Sequence, residues 1–360
     1  MTRGTLSTIA LLLATCGTHA AADTTRFLQD AKVETQPTVD ETRPQFARHI
    51  ICGNDPAAHP AALTFQDAKV ETQPAVDETS TPASDRKARA AFDIYADHAF
   101  SSDFTDSTGE MSVTRLGAGF QMIFPVLSDS QIGVALGAEH WNFDFKNATA
   151  FDAADGDPWS GVNDLDLTLT FSNRINEKWS YVTGIFGRAS YADGADIGNS
   201  LTAGAILGAT YKVNDRFSIG GGVSLRSPLE DDFSVLPLIT IDWQISDKLA
   251  LRSTPSVGRR LMALTYTPTE AFEISLGGGI ESIDFRLDDD APASEGVGRF
   301  RRIPVGLDLT YNFSRQVSLN LYGGMVFAQE LTLDDTNGER IEREAVDATP
   351  FLGGGFQWRF

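Results

Sequence analysis

Two histidines, His98 and His140, carry side chains that could act as a general base near neutral pH. Ser101 follows His98 at a spacing of three, but a hydroxyl nucleophile needs both a base and an orienting group within reach. The sequence supplies no such set, and it has no His/Cys spacing typical of a metal site. We therefore predict no enzyme and no cofactor, with a lipid-ester hydrolase using either histidine as the enzymatic alternative.

Carboxylates are the second candidate chemistry, since 49 Asp and Glu against 29 Lys and Arg give a net charge of −20. This balance argues against nucleic acid as a partner. The stretches Asp152–Asp157 and Asp288–Asp290 are rich in the oxygen ligands that Ca²⁺ prefers. Neither stretch has the EF-hand spacing, so loosely bound divalent cations and fully solvated loops are both open interpretations.

Other charged residues fall inside segments that alternate between apolar and polar side chains. Leu165 and Leu167, for example, alternate with Asp166 and Thr168, and similar patterns recur from Ala91 onward. Successive side chains of a strand point to opposite faces, so the polar set shares one face. The charged residues that this parity places on the polar face, as a lumen lining, are Asp93, Asp97, Arg115, Glu139, Asp164, Asp166, Lys212, Arg226, Asp242, Arg252, Glu281, Asp308 and Arg359.

The connections between these segments are alternately short and long. The short ones resemble one another, as in Ile175–Trp179 and Val213–Phe217, and their Asn and Asp residues suit tight turns. The long ones are acidic, as in Lys146–Gly161. No apolar run approaches the ~18–20 residues of a spanning helix. Short turns at one end and long loops at the other are typical of a β-barrel that crosses a membrane with its strands.

The last segment, Pro350–Phe360, carries Phe356, Trp358 and Phe360 on one face. An aromatic end of this kind resembles the closing strand of bacterial outer-membrane β-barrel proteins, a porin-like class rather than one family. The resemblance implies a location in the cell outer membrane, with outer-membrane lipid around the apolar face. It also implies that these three aromatics form the signal through which the barrel-assembly machinery inserts the chain. Divalent cations would then be partners at the acidic external loops.

Counting the segments predicts an all-β fold, a transmembrane antiparallel up-and-down β-barrel of about fourteen strands over residues 91–360. The ninth and tenth segments, near Leu251 and Leu264, are short and interrupted by Pro255, so twelve strands is the alternative. An even number returns the C-terminus to the side on which the first strand begins. Near the end, the Asn337-Gly338 pair predicts a type I′ hairpin turn.

The N-terminal part has a different composition. Residues 1–22 have the layout of a secretory signal peptide, with a lipoprotein acylated at Cys16 as the alternative. Residues 23–90 are predicted to be a disordered periplasmic linker. This linker carries the DAKVETQP motif twice, within Asp30–Thr42 and Asp67–Thr79, and could instead plug the barrel or bind a partner.

Two functional hypotheses follow. A barrel of about fourteen strands encloses more space than side chains alone fill, which predicts a passive channel or solute-uptake pore. The long acidic loops and the repeated motif favour instead a non-conducting structural or surface-interaction barrel with an occluded lumen. Opposite charges on the polar face could also pair across neighbouring strands and hold the wall together, which is compatible with either hypothesis.

Overall fold

The computed structural model describes residues 88–149, 151, 158–230, 233–253, 262–288 and 293–360. The predicted signal peptide and the linker up to residue 87, with Cys16 and both copies of the repeated motif, lie outside the described residues. So do the positions Asp152, Asp155, Asp157, Pro255, Asp289 and Asp290. In the part of the chain that is described, no α-helix has the length and apolar character that crossing a membrane demands.

The described residues form sixteen β-strands and a short 3₁₀ turn at Ile197–Ser200. The strands are β1 (Arg89–Asp103), β2 (Glu110–Leu127), β3 (Ser130–Lys146), β4 (Gly161–Arg174), β5 (Trp179–Ala192), β6 (Leu201–Asn214), β7 (Phe217–Ser227), β8 (Ser234–Ser246), β9 (Leu249–Arg252), β10 (Met262–Thr269), β11 (Phe272–Gly278), β12 (Glu281–Arg286), β13 (Val297–Asn312), β14 (Val317–Asp334), β15 (Arg340–Val346) and β16 (Thr349–Arg359).

Fourteen of these strands, all except β12 and β15, close into an antiparallel barrel that we call the wide ring. Neighbours follow the chain from β1 to β11, then β13, β14 and β16, and β16 pairs with β1. The prediction of an all-β barrel of about fourteen strands is confirmed. The twelve-strand alternative is wrong, because β9 and β10 pair directly, with Leu251 opposite Leu264.

The outer face of the wide ring is apolar. On β4, Leu165, Leu167 and Leu169 are 40%, 42% and 39% exposed, whereas Thr168 and Thr170 between them are buried. A soluble sheet buries its apolar face and exposes its polar one. Here the apolar face is exposed and the polar face is buried, so the alternating sequence forms a barrel with an apolar outer face and a polar interior.

Short turns lie at one end of the barrel, which we call the short-turn end. Asn176 Oδ1 accepts hydrogen bonds from the N–H groups of Lys178 and Trp179, each at 2.9 Å, and Asn214 Oδ1 accepts one from Arg216 N–H at 2.9 Å. Asn forms such turns because its side chain replaces a backbone acceptor. The opposite end, which we call the long-loop end, carries the connections 104–109, 147–160, 193–200, 228–233, 287–296 and 335–339.

The turn between β14 and β15 lies where the sequence predicted it but has another type. Asp335 N–H donates to Glu339 O at 2.9 Å, which leaves Thr336, Asn337 and Gly338 in the loop. Gly338 has a φ of 78°, and Asn337 is not among the non-glycine residues with positive φ. The type I′ prediction is therefore wrong, since that turn needs positive φ at both central residues. A three-residue loop ending in a left-handed glycine takes its place.

At the long-loop end the wall narrows. β12 continues the line of β11 along β13, with Glu281 opposite Arg302, and then meets β5 in a single parallel bridge between Arg286 and Tyr191. β15 reaches β1 through the bridge between Phe104 and Val346. The strands β12, β13, β14 and β15 thus close with β1 to β5 into a narrower ring, which we call the small ring. Its one parallel contact arises because β5 and β12 both run toward the long-loop end.

Candidate functional site in the barrel interior

β12 crosses the interior of the barrel and separates two regions, so we call it the septum (Glu281–Arg286). All of its residues except Ser282 are buried. Because strand side chains alternate, its two faces differ in chemistry. Ile283 and Phe285 pack into an apolar core inside the small ring, whereas Asp284 forms an ion pair with β7 on the other side.

The interior of the small ring is filled by large apolar side chains. Trp141, Phe143, Phe285, Phe300 and Leu331 are each at most 4% exposed and belong to one cluster. The rings of Phe143 and Phe300 meet edge to face, with centroids 5.2 Å apart. Burying each such side chain stabilises the fold by about 1.5–3 kcal/mol. The cluster therefore fills the small ring with a packed core.

On the side of this core toward the short-turn end lies a buried group of four charges, which we call the ion quartet (Asp97, Arg115, Glu281 and Arg302). Arg115 Nη2 lies 2.9 Å from Asp97 Oδ2 and 3.3 Å from Glu281 Oε1. Arg302 Nη2 lies 3.1 Å from Asp97 Oδ1, and its Nε donates to Glu281 Oε2. All four side chains are at most 3% exposed. Each guanidinium group thus contacts both carboxylates of the quartet, and Glu139 Oε2 lies 3.9 Å from Arg115 Nη1 as a third carboxylate. Pairing with opposite charge is the condition under which buried charges are tolerated.

Aromatic side chains join the ion quartet to the apolar core. The guanidinium carbons of Arg115 and Arg302 lie 4.6 and 4.9 Å from the centre of the Trp141 ring, which is cation–π distance. The indole N–H of Trp141 donates to Glu139 Oε2 at 2.9 Å, and the Tyr95 hydroxyl donates to the same carboxylate. Trp141 thus lies at the boundary between the charged groups of the ion quartet and the apolar core of the small ring.

The other face of the septum is held by ion pairs. Asp284 accepts hydrogen bonds from Arg226 on β7 and from Arg299 Nε on β13, the latter at 3.0 Å. Arg286 Nη2 donates to Glu230 Oε1 at 2.6 Å, and its Nε donates to the backbone oxygen of Asn199 at 3.0 Å. The septum is therefore attached to the loops that follow β5 and β7 mainly through charged and polar groups.

A further buried pair lies in the wall between β4 and β5. Arg188 donates to both carboxylate oxygens of Asp164, at 2.6 and 2.7 Å, and the Ser190 hydroxyl donates to Asp164 at 2.5 Å. Asp166 lies directly opposite Arg188 in the ladder. Such a two-point guanidinium–carboxylate contact fixes both side chains in one geometry.

A cavity of about 240 Å³ lies beside the ion quartet, toward the short-turn end. Its lining combines charges of both signs with hydroxyl, amide and aromatic groups from β1, β2, β9 to β14 and β16. The charged residues of the lining are Asp93, Arg115, Arg252, Glu273, Glu281, Arg302, Asp308 and Arg359. Hydrogen bonds from Asn320 and Thr310 orient the Asp308 carboxylate. This mixture suits a polar or charged solute better than an apolar one.

The structure places the sequence-predicted charged residues in different settings. Asp97, Arg115, Glu139 and Glu281 are in or beside the ion quartet, and Asp164 and Arg226 form other ion pairs. Asp166 lies opposite Arg188 in the ladder, and Asp93, Arg252, Asp308 and Arg359 line the cavity. The remaining two, Lys212 and Asp242, have side chains that are 51% and 55% exposed near the short-turn end.

Several residues that form ion pairs in the interior are not among those predicted from the sequence. They are Arg188, Asp284, Arg286, Arg299, Arg302 and Asp334. Two of them lie directly opposite predicted residues, Arg188 opposite Asp166 and Arg302 opposite Glu281. A strand register would have revealed these two, whereas the contact between Arg302 and Asp97 joins residues 205 positions apart.

The two histidines lie on strand positions of the opposite parity to the interior charges. His98 Nδ1 lies 2.9 Å from Thr114 Oγ1, and His140 Nδ1 lies 2.9 Å from Asn163 Oδ1. Each therefore contacts an uncharged oxygen. Among the described residues, no group of three or more His, Cys, Asp or Glu side chains could hold a metal ion.

A family model described as a domain of unknown function, DUF6268, matches residues 90–359. The chain belongs to the DUF6268 family. The match covers the whole barrel of this DUF6268 chain and assigns it no activity. A comparison with curated proteins gives no significant match.

Solved structures similar to this DUF6268 chain include a Pseudomonas aeruginosa FadL homologue, with 12% identity over 76% of this chain and 90% of that one and a TM-score of 0.43. The COG4313 outer membrane channel from Pseudomonas putida F1 has 11% identity over 76% and 96%, with a TM-score of 0.41. The KdgM porin in complex with disordered oligogalacturonate has 9% identity over 74% and 99%, with a TM-score of 0.30. No solute follows from these similarities.

Proposed function

We propose that this protein is an outer-membrane channel for small polar solutes, held closed by its own septum. The observation that carries the proposal is a polar cavity inside the wide ring that ends at a strand crossing the interior. That strand is attached to β7 and to the loops after β5 and β7 by ion pairs and polar contacts. Groups of this kind can exchange partners with water or with a charged solute, so the contact between the septum and β7 can open while Ile283 and Phe285 stay packed in the core of the small ring.

The outer-membrane location is supported by the apolar outer face and by aromatic side chains near the short-turn end. Trp179, Phe313, Trp358 and Phe360 are 46%, 62%, 46% and 55% exposed. Aromatic rings favour the boundary between lipid and water. With the N-terminus in the periplasm, the cavity would open to the periplasm and the septum would lie toward the cell exterior. Lipid would then be the partner of the outer face, and the barrel-assembly machinery the partner of the last strand.

A non-conducting barrel is the second candidate function, and the packed core of the small ring favours it. Phe285 and Leu331 have no exposed surface, so this part of the interior is as tightly filled as the core of a soluble domain. On this alternative, the septum is a permanent brace, and the long-loop end presents a rigid surface.

Conductance in planar lipid bilayers distinguishes the two functions. We expect rare or small openings from the parent protein and sustained conductance from the variant Asp284→Asn/Arg286→Gln, which we call the release variant. The matched control is Arg216→Gln/Asp247→Asn, which removes an exposed ion pair of 3.0 Å at the short-turn end. Folding of each variant is checked by its heat-dependent mobility in detergent gels. Folded protein without conductance in both the parent and the release variant would support the non-conducting barrel.

A further inference from the structure

The septum divides the interior of the wide ring, so a solute has two ways toward the long-loop end. One passes through the small ring, and the other passes between the septum and β7. Building on the proposed channel function, we propose that solutes take the second route, that they are small anions, and that Arg226 selects them.

The route through the small ring is closed twice. A solute would first have to separate the ion quartet, and it would then meet the packed rings of Trp141, Phe143 and Phe300. A charged solute between these rings would remove their contacts with one another and would itself be buried without hydrogen bonds. This route therefore requires the core of the small ring to come apart.

The route beside β7 has a different lining. By strand parity and burial, the inward positions of β7 are Ser218, Gly220, Gly222 and Ser224, which lead from the short-turn end to Arg226. All four residues are small, so the inner face of β7 is smooth up to Arg226. The closure is the ion pair between Arg226 and Asp284, with Arg299 on the far side of the same carboxylate.

The hydrogen-bond donors at this closure suit an anion. Arg226 and Arg299 share Asp284, and Arg299 also lies 3.6 Å from Asp334, so the two guanidinium groups meet two carboxylates and the donor that remains is on Arg226. Arg226 is 4% exposed, and its Nε has no hydrogen-bond partner among the described residues. A carboxylate or phosphate oxygen is the acceptor that such a buried N–H fits. An arriving anion can therefore replace Asp284 at Arg226, which opens the contact between the septum and β7 as the solute passes.

Thiol blocking tests the route. In the release variant with Cys52→Ala, a cysteine at Ser224 or at Val113 marks the β7 route or the small ring, and Val113 is 1% exposed in the apolar core. A negatively charged methanethiosulfonate reagent should abolish most of the current of the Ser224→Cys protein and leave that of the Val113→Cys protein unchanged. Block at Val113→Cys alone, or at neither position, would overturn the route.

Selectivity tests the role of Arg226. In a KCl gradient, the release variant should show the reversal potential of an anion-selective pore, and adding Arg226→Gln should shift it toward cation selectivity. Adding Arg216→Gln, which removes an exposed arginine, should not. An unchanged reversal potential with Arg226→Gln would overturn the role of Arg226 while leaving the channel function intact. Absence of any current in the folded release variant would instead remove the proposed function and this inference together.

Discussion

Replacing Arg302 by methionine tests whether the ion quartet holds the septum in place. Arg302 is 2% exposed and contacts both Asp97 and Glu281, so its loss leaves two buried carboxylates with Arg115 as their remaining guanidinium partner in the quartet. Breaking a buried ion pair on one side costs about 3–5 kcal/mol, because the remaining charge stays desolvated. We expect the free energy of unfolding of Arg302→Met to fall by an amount in that range.

The assay is urea unfolding in lipid vesicles, followed by tryptophan fluorescence, since Trp141 lies 4.9 Å from the Arg302 guanidinium. The exposed pair between Arg343 and Glu330 provides the control, because losing such a pair costs about 0–1 kcal/mol. The double variant Arg302→Met/Glu281→Leu removes one charge of each sign and should lose less than Arg302→Met alone. Equal losses in Arg302→Met and Arg343→Met would refute the reasoning.

Three further predictions concern the core, the outer face and a turn. Phe285→Ala, at a side chain with no exposed surface, should lower the free energy of unfolding by about 3–5 kcal/mol, measured by the same urea titration. Leu307→Arg, on the outer face at 54% exposure, should cost about 2–4 kcal/mol in vesicles, whereas Thr310→Arg in the cavity lining should cost clearly less; equal costs would contradict a lipid-facing Leu307. Backbone N–H groups of Glu339 and Asn337 lower the pKa of Asp335, so its contribution to the turn is present above the ordinary Asp pKa of about 3.9 and is lost as the pH falls through the lowered value. Amide hydrogen exchange at Asn337 should therefore gain protection as the pH rises through this range, and Asp335→Ala should abolish the change.

The wide ring could be predicted from the sequence because its two faces meet different surroundings. Each strand such as β4 carries leucines on one face and polar residues on the other, so alternation alone locates it. Even the short β9 and β10 follow from their apolar residues Leu251 and Leu264. The Asn337-Gly338 pair placed the turn correctly, but its type depends on the number of residues that the ladder leaves unpaired.

The septum could not be predicted in this way, because both of its faces are buried. Parity assigned Glu281 to the interior but could not reveal that Asp284, on the opposite face, is also buried against Arg226. Glu281 and Asp284 have their partners Arg115 on β2 and Arg226 on β7 far away in the sequence, so no local pattern records these contacts.

The most direct test of the closed channel is a reversible lock across the bridge between β5 and β12. Tyr191 and Arg286 are directly opposite one another, so cysteines at both positions, in a Cys52→Ala background, can form a disulfide. With Asp284→Asn added to remove the pair with Arg226, oxidation should keep the septum against β5 and hold the current near zero. Reduction should then open the channel, because residue 284 no longer pairs with Arg226 and residue 286 no longer pairs with Glu230. The same current in the oxidised and reduced forms of folded protein would contradict a septum that closes a channel.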